Sequence, residues 1–104
     1  MKIVTDTDPV EDYMVTHPNT RAVIETWIGI LEKIEVHSVD ELLRKHFPFA
    51  MEKEDKKNVI TFYPGGNVVD VVVECEYLVD APYLYLFPKT PRGGTEYRLR
   101  DLFN

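Results

Sequence analysis

The chain of 104 residues has one cysteine, Cys75, so no disulfide can form within it and burial must hold the fold. Cys75 lies in a strongly apolar strand pattern, where a packing residue is expected rather than a nucleophile. Positive charge is short as well: 12 lysines and arginines stand against 18 aspartates and glutamates, a net charge of -6 with a pI near 5.0. That balance argues against broad attraction to phosphate backbones or anionic lipid. Long hydrophobic runs are missing, the longest being about five residues, far below a membrane span. No basic segment followed by an apolar core opens the chain, so a cytoplasmic protein with no membrane partner is expected. The histidines number three, His17, His37 and His46, and none has a second histidine or cysteine at ligand spacing, which argues against a metal site.

What is present suffices for a folded unit. A composition 44% hydrophobic and 12% aromatic is that of an ordered protein, and with no repeat or linker a single domain over residues 1–104 is expected. Met1 to Thr5 alternates weakly, as a short edge strand would. Asp8-Pro9-Val10-Glu11 offers an N-cap, a proline at the first helical position and a capping-box partner, so a short helix is expected from Pro9. His17-Pro18-Asn19-Thr20 breaks the chain. Val23, Ile24, Trp27, Ile28, Leu31 and Ile34 then recur at three- and four-residue spacing, one apolar face of a longer helix. Ser38-Val39-Asp40-Glu41 is a second capping box, leading into a short helix with Leu42, Leu43 and Phe47 that Pro48 closes.

The second half reads as strands. Residues 58–63 form one, ending at Pro64-Gly65-Gly66-Asn67, where glycines let the chain reverse into a hairpin. On the returning strand Val69, Val71, Val73, Cys75 and Tyr77 point one way, while Asp70, Glu74 and Glu76 point the other. Tyr83 to Phe87 is apolar throughout, which predicts an interior strand covered on both sides. Glu52 to Lys57 reads as a solvated loop, Lys89 to Gly94 as a second loop, and Thr95 to Leu99 as a last edge strand. The expected class is α+β, with N-terminal helices on one face of a small antiparallel sheet.

The order of elements and several residues together resemble the HigB-type toxins, a branch of the RelE-like ribonucleases of bacterial toxin-antitoxin systems. The resemblance covers most of the chain: the Met1-Lys2-Ile3-Val4-Thr5 opening, His17-Pro18 before the long helix, Trp27 within it and Phe47-Pro48 after the third helical segment. It continues through Val59-Ile60-Thr61-Phe62, Gly65-Gly66-Asn67, the valine-rich strand and Thr95-Glu96-Tyr97. It implies a RelE-like sheet and an endonuclease that cuts messenger RNA on the ribosome without metal or organic cofactor. A cognate antitoxin protein would hold it silent.

Cleavage by a neighbouring ribose hydroxyl needs a base, an acid for the leaving oxygen, and cations for charge developing on phosphate. The resemblance implies Tyr97, Arg98, Lys56 and Lys57 as catalytic candidates. Lys89, Arg92 and Arg100 are the candidate RNA contacts, a small basic patch near the end of an acidic chain. The chain departs from the family in two places. Asp70 stands where the family uses a positive charge after the glycine turn, and Gly93-Gly94-Thr95 stands where a histidine precedes the Glu-Tyr pair. A carboxylate there repels phosphate by about 1 kcal/mol or more. The departures raise an alternative: a toxin-like fold without catalysis that presents Asp70, Glu74 and Glu76 to a basic protein partner as an inhibitor, decoy or regulator. That role would suit a phage-encoded protein.

Overall fold

Residues at helical spacing fold the first half of the chain into helices, and alternating residues fold the second half into a sheet. A computed structural model describes residues 1–66 and 69–93. Strand β1 (Lys2–Thr5) leads into helix α1 (Asp8–Thr16), a 3-10 turn (Pro18–Thr20) and helix α2 (Arg21–Lys33). Helix α3 (Val39–Glu41) runs into a π-helical turn (Leu42–His46). The strands β2 (Met51–Glu52), β3 (Val59–Phe62), β4 (Val71–Asp80), β5 (Tyr83–Pro88) and β6 (Arg92–Gly93) follow.

Helix starts follow the capping signals with small shifts. α1 begins one residue early, with Thr7 rather than Asp8 as N-cap, and the Thr7 hydroxyl donates to Glu11 Oε1 at 3.4 Å. At α3 the Glu41 N–H donates to Ser38 Oγ at 3.1 Å, while the Glu41 carboxylate accepts from the His37 N–H at 2.7 Å. In α2 the expected face is the buried one: Ile24, Trp27 and Leu31 are buried, with Val23, Ile28 and Ile34 packed beside them.

The sheet is mixed rather than antiparallel, in the order β1-β5-β4-β3-β2, with β6 also paired to β4. Sequential strands β2 to β5 form an antiparallel meander, whereas β1 lies parallel to β5. Hairpins force sequential neighbours to run antiparallel; β1 reaches β5 only after the whole helical half, so no hairpin constrains its direction. Gly66, at φ 54°, permits the reversal between β3 and β4, its N–H donating to the Tyr63 carbonyl at 3.0 Å.

Four further expectations are corrected. β5 is interior in strand order but covered on one side: Leu84, Leu86 and Pro88 are buried, whereas Tyr83 and Phe87 remain 39% and 46% exposed. The 52–57 run opens with the last residue of β2, and the 89–94 run contains β6. Asp70 precedes β4 instead of lying in it. The expected strand at 95–99 lies outside the described residues.

Candidate functional site on the outer side of the sheet

Register divides the sheet into two chemically different sides. On the inner side, Ile3, Ile60, Phe62, Val71, Val73, Cys75, Leu84 and Leu86 share one buried cluster with helix residues Val10, Ile24, Trp27 and Leu31. Burial raises the Cys75 thiol well above its ordinary range, so it stays neutral and unreactive as a packing residue.

The outer side is set by the cross-strand pairs Val59 with Glu76, Thr61 with Glu74, Glu76 with Phe87, Leu78 with Tyr85, and Tyr85 with Val4. Directly paired residues share a face, so these side chains form one surface. It has a charged half over β3, β4 and β6 and an aromatic half over β5 and β1.

In the charged half, the turn between β2 and β3 carries the lysines. The Lys53 N–H donates to the Val59 carbonyl at 3.0 Å, and Asn58 ends the turn at φ 62°, a left-handed conformation that asparagine tolerates well. This projects Lys53 onto Glu74, with which it forms an ion pair. The hydrogen bond from Lys53 and the nearby charges of Lys53, Lys56 and Lys89 hold the Glu74 carboxyl below its ordinary pKa, against the opposing effect of burial. Lys89 Nζ lies 3.8 Å from Glu76 Oε1. Lys56 and Lys57 are exposed and line, with Asn58, Val59, Glu76 and Tyr77, a hollow of about 440 Å³.

The structure thus brings Lys56, Lys57 and Lys89 together around Glu74 and Glu76. Arg92 is exposed on β6 opposite Val72, on the same side of the sheet as Glu74. Asp70 is exposed at the entry to β4. Tyr97, Arg98 and Arg100 lie outside the described residues. Sequence reasoning missed Lys53, which alternation continued beyond β2 would have placed beside Glu74. It also missed the outward aromatics Tyr83, Tyr85 and Phe87, whose i, i+2, i+4 spacing was legible.

The histidines lie elsewhere. His17 stacks on Tyr13 at 3.9 Å between ring centroids, His37 meets the Glu41 carboxylate at 2.9 Å, and His46 lines a groove with Trp27 and Phe47. Among the described residues no group of three His, Cys, Asp or Glu side chains is placed to hold a metal ion, and no helix is long and apolar enough to cross a membrane.

The chain matches no protein-family model, no curated protein and no solved structure. Four lysines set around two carboxylates make a site whose cations can exchange a carboxylate partner for a phosphate.

Proposed function

We propose that the chain is a divergent HigB-type toxin, an endonuclease that cuts messenger RNA on the ribosome without metal or organic cofactor and is silenced by a cognate antitoxin. The observation that carries this reading is the convergence of Lys53, Lys56 and Lys89 on Glu74, with Lys57 lining the adjoining hollow. It brings Lys56 and Lys57, named by the resemblance, and Lys89, from the basic patch, around Glu74 and Glu76, despite the excess of acidic residues in the chain. In this reading the lysines hold the scissile phosphate and stabilise its developing charge. Tyr97 and Arg98 complete the reaction site, as the resemblance implies, with the Arg98 guanidinium pairing with phosphate. The α+β element order, with a strand and three helices ahead of the meander, is compatible with a RelE-like fold with its helices against the inner side.

The alternative, an inactive fold offering Asp70, Glu74 and Glu76 to a basic protein, loses ground because two of its three carboxylates already face lysines. Growth under induced expression tests the choice. Wild-type chain should arrest growth, and the joint variant Lys56→Ala, Lys57→Ala, Lys89→Ala should relieve arrest at equal protein level. Arrest undiminished in that variant would remove the lysines from the site. Normal growth with the wild type would favour the binding reading.

A further inference from the structure

The aromatic half of the outer side takes no part in the lysine site. Tyr83, Tyr85 and Phe87 stand in line along β5, with neighbouring ring centroids 5.8 and 6.4 Å apart. The Tyr85 and Phe87 rings are within 13° of parallel. Val4 on β1 and Leu78 on β4 flank Tyr85 and are 44% and 52% exposed. Leaving this much apolar and aromatic surface in water is costly, and such patches mark binding surfaces.

Charge at the ends of the row selects the occupant. Two residues beyond Phe87, alternation puts Lys89 on the same side, and Arg92 lies beyond it on β6. At the other end Lys2 is paired across the strands with Tyr83. Anions are present too: Asp80 is paired with Tyr83, and Glu76, paired with Phe87, is the partner of Lys89. The apolar strip is therefore narrow, confined across three strands to the row Val4, Tyr85, Leu78, and bounded by cations at both ends. A broad protein interface wants a wider dry centre with charges kept to its rim. A row of outward rings on a sheet with cations at its ends suits an unpaired polynucleotide, whose bases stack on rings while its phosphates meet ammonium and guanidinium groups.

We infer that the β5 ladder of Tyr83, Tyr85 and Phe87 is a stacking platform for unpaired bases of a single-stranded RNA, whose backbone continues over Lys89 and Arg92 into the lysine site. This rests on the RNA reading above for the ligand's class and extends it to where the flanking nucleotides lie. The rings act through their π faces, so Phe serves in place of Tyr85 and Leu does not.

Fluorescence anisotropy of a labelled single-stranded oligouridylate with the full chain tests it, alongside the same sequence as a duplex. Tyr85→Ala and Phe87→Ala should each weaken binding about tenfold or more, Tyr85→Leu likewise, and Tyr85→Phe should bind as wild type. Circular dichroism confirms that each variant is folded. Duplex bound as tightly as single strand would overturn the platform. So would binding that depends on Lys89 and Arg92 but not on the rings, an outcome that leaves the nuclease reading standing. Ring-dependent binding with messages intact in cells would keep the platform and remove the nuclease. Concentration-dependent dimers in sedimentation that Tyr85→Ala dissociates, with no RNA bound, would assign the row to a second copy of the chain instead.

Discussion

Lys53 and Glu74 form an ion pair on the outer side of the sheet, joining the turn after β2 to the middle of β4. The Glu74 side chain is 12% exposed, so this pair is shielded more than a surface pair and ties two non-sequential segments together. Its partner holds the Glu74 carboxyl below its ordinary pKa, and the His37 N–H does the same for Glu41. An unfolded chain therefore takes up protons on these groups at a higher pH than the folded one. Their contribution to stability is present above the ordinary carboxylate pKa of about 4.3 and is lost as pH falls through the lowered folded values. Thermal melts across that acid range should show a falling midpoint, with a shallower fall in Glu74→Gln. An identical slope in the variant would contradict the pairing.

Gly93 has φ 79°, and a Cβ placed on it would overlap the Asp70 carbonyl oxygen. Its own carbonyl accepts a hydrogen bond from the Tyr13 hydroxyl on α1. Gly93→Ala should cost about 1–3 kcal/mol through backbone strain alone, and Tyr13→Phe about 1 kcal/mol. Urea unfolding midpoints measure both; a Gly93→Ala protein as stable as wild type would refute the β4 to β6 junction.

Trp27 is 2% exposed, its ring 5.3 Å from Phe62, which in turn meets Phe47 edge-on at 5.3 Å. These rings bind α2 and the end of the π turn to β3. Trp27→Ala should cost about 3–5 kcal/mol, enough to unfold a marginal domain. A loss below about 1 kcal/mol in denaturant titration would mean that the rings do not form the core.

The α2 face was legible because Val23, Ile24, Trp27, Ile28 and Leu31 repeat with the helical period and need no partner to be recognised. β4 was legible for a similar reason, its valines alternating with Glu74 and Glu76. The parallel β1 to β5 pairing was not, since Lys2 meets Tyr83 across nearly the whole chain and local pattern carries no information on direction. β5 misled because Tyr83, Tyr85 and Phe87 count as apolar in a pattern, although tyrosine keeps a polar tip that tolerates water. Of the site, the lysine candidates were visible as residue types, but their convergence on Glu74 follows from register and the turn that ends at Asn58. Glu74 and Glu76 read in sequence as a bare acidic face; the fold supplies each with a lysine.

Lys56, Lys57 and Lys89 are exposed or half-exposed, so replacing them with alanine should change stability by less than about 0.5 kcal/mol each. Any loss of activity in these variants is then chemical and not structural. A fall in melting temperature that accounts for the lost activity would contradict a phosphate-binding role.

The most direct test maps the ends of messenger RNA in bacteria during induced expression of the wild-type chain and of the joint Lys56→Ala, Lys57→Ala, Lys89→Ala variant. Discrete cuts within translated messages, appearing with growth arrest and absent in the variant, are expected under the proposed nuclease reading. Intact messages and normal growth with soluble wild-type protein present would contradict it.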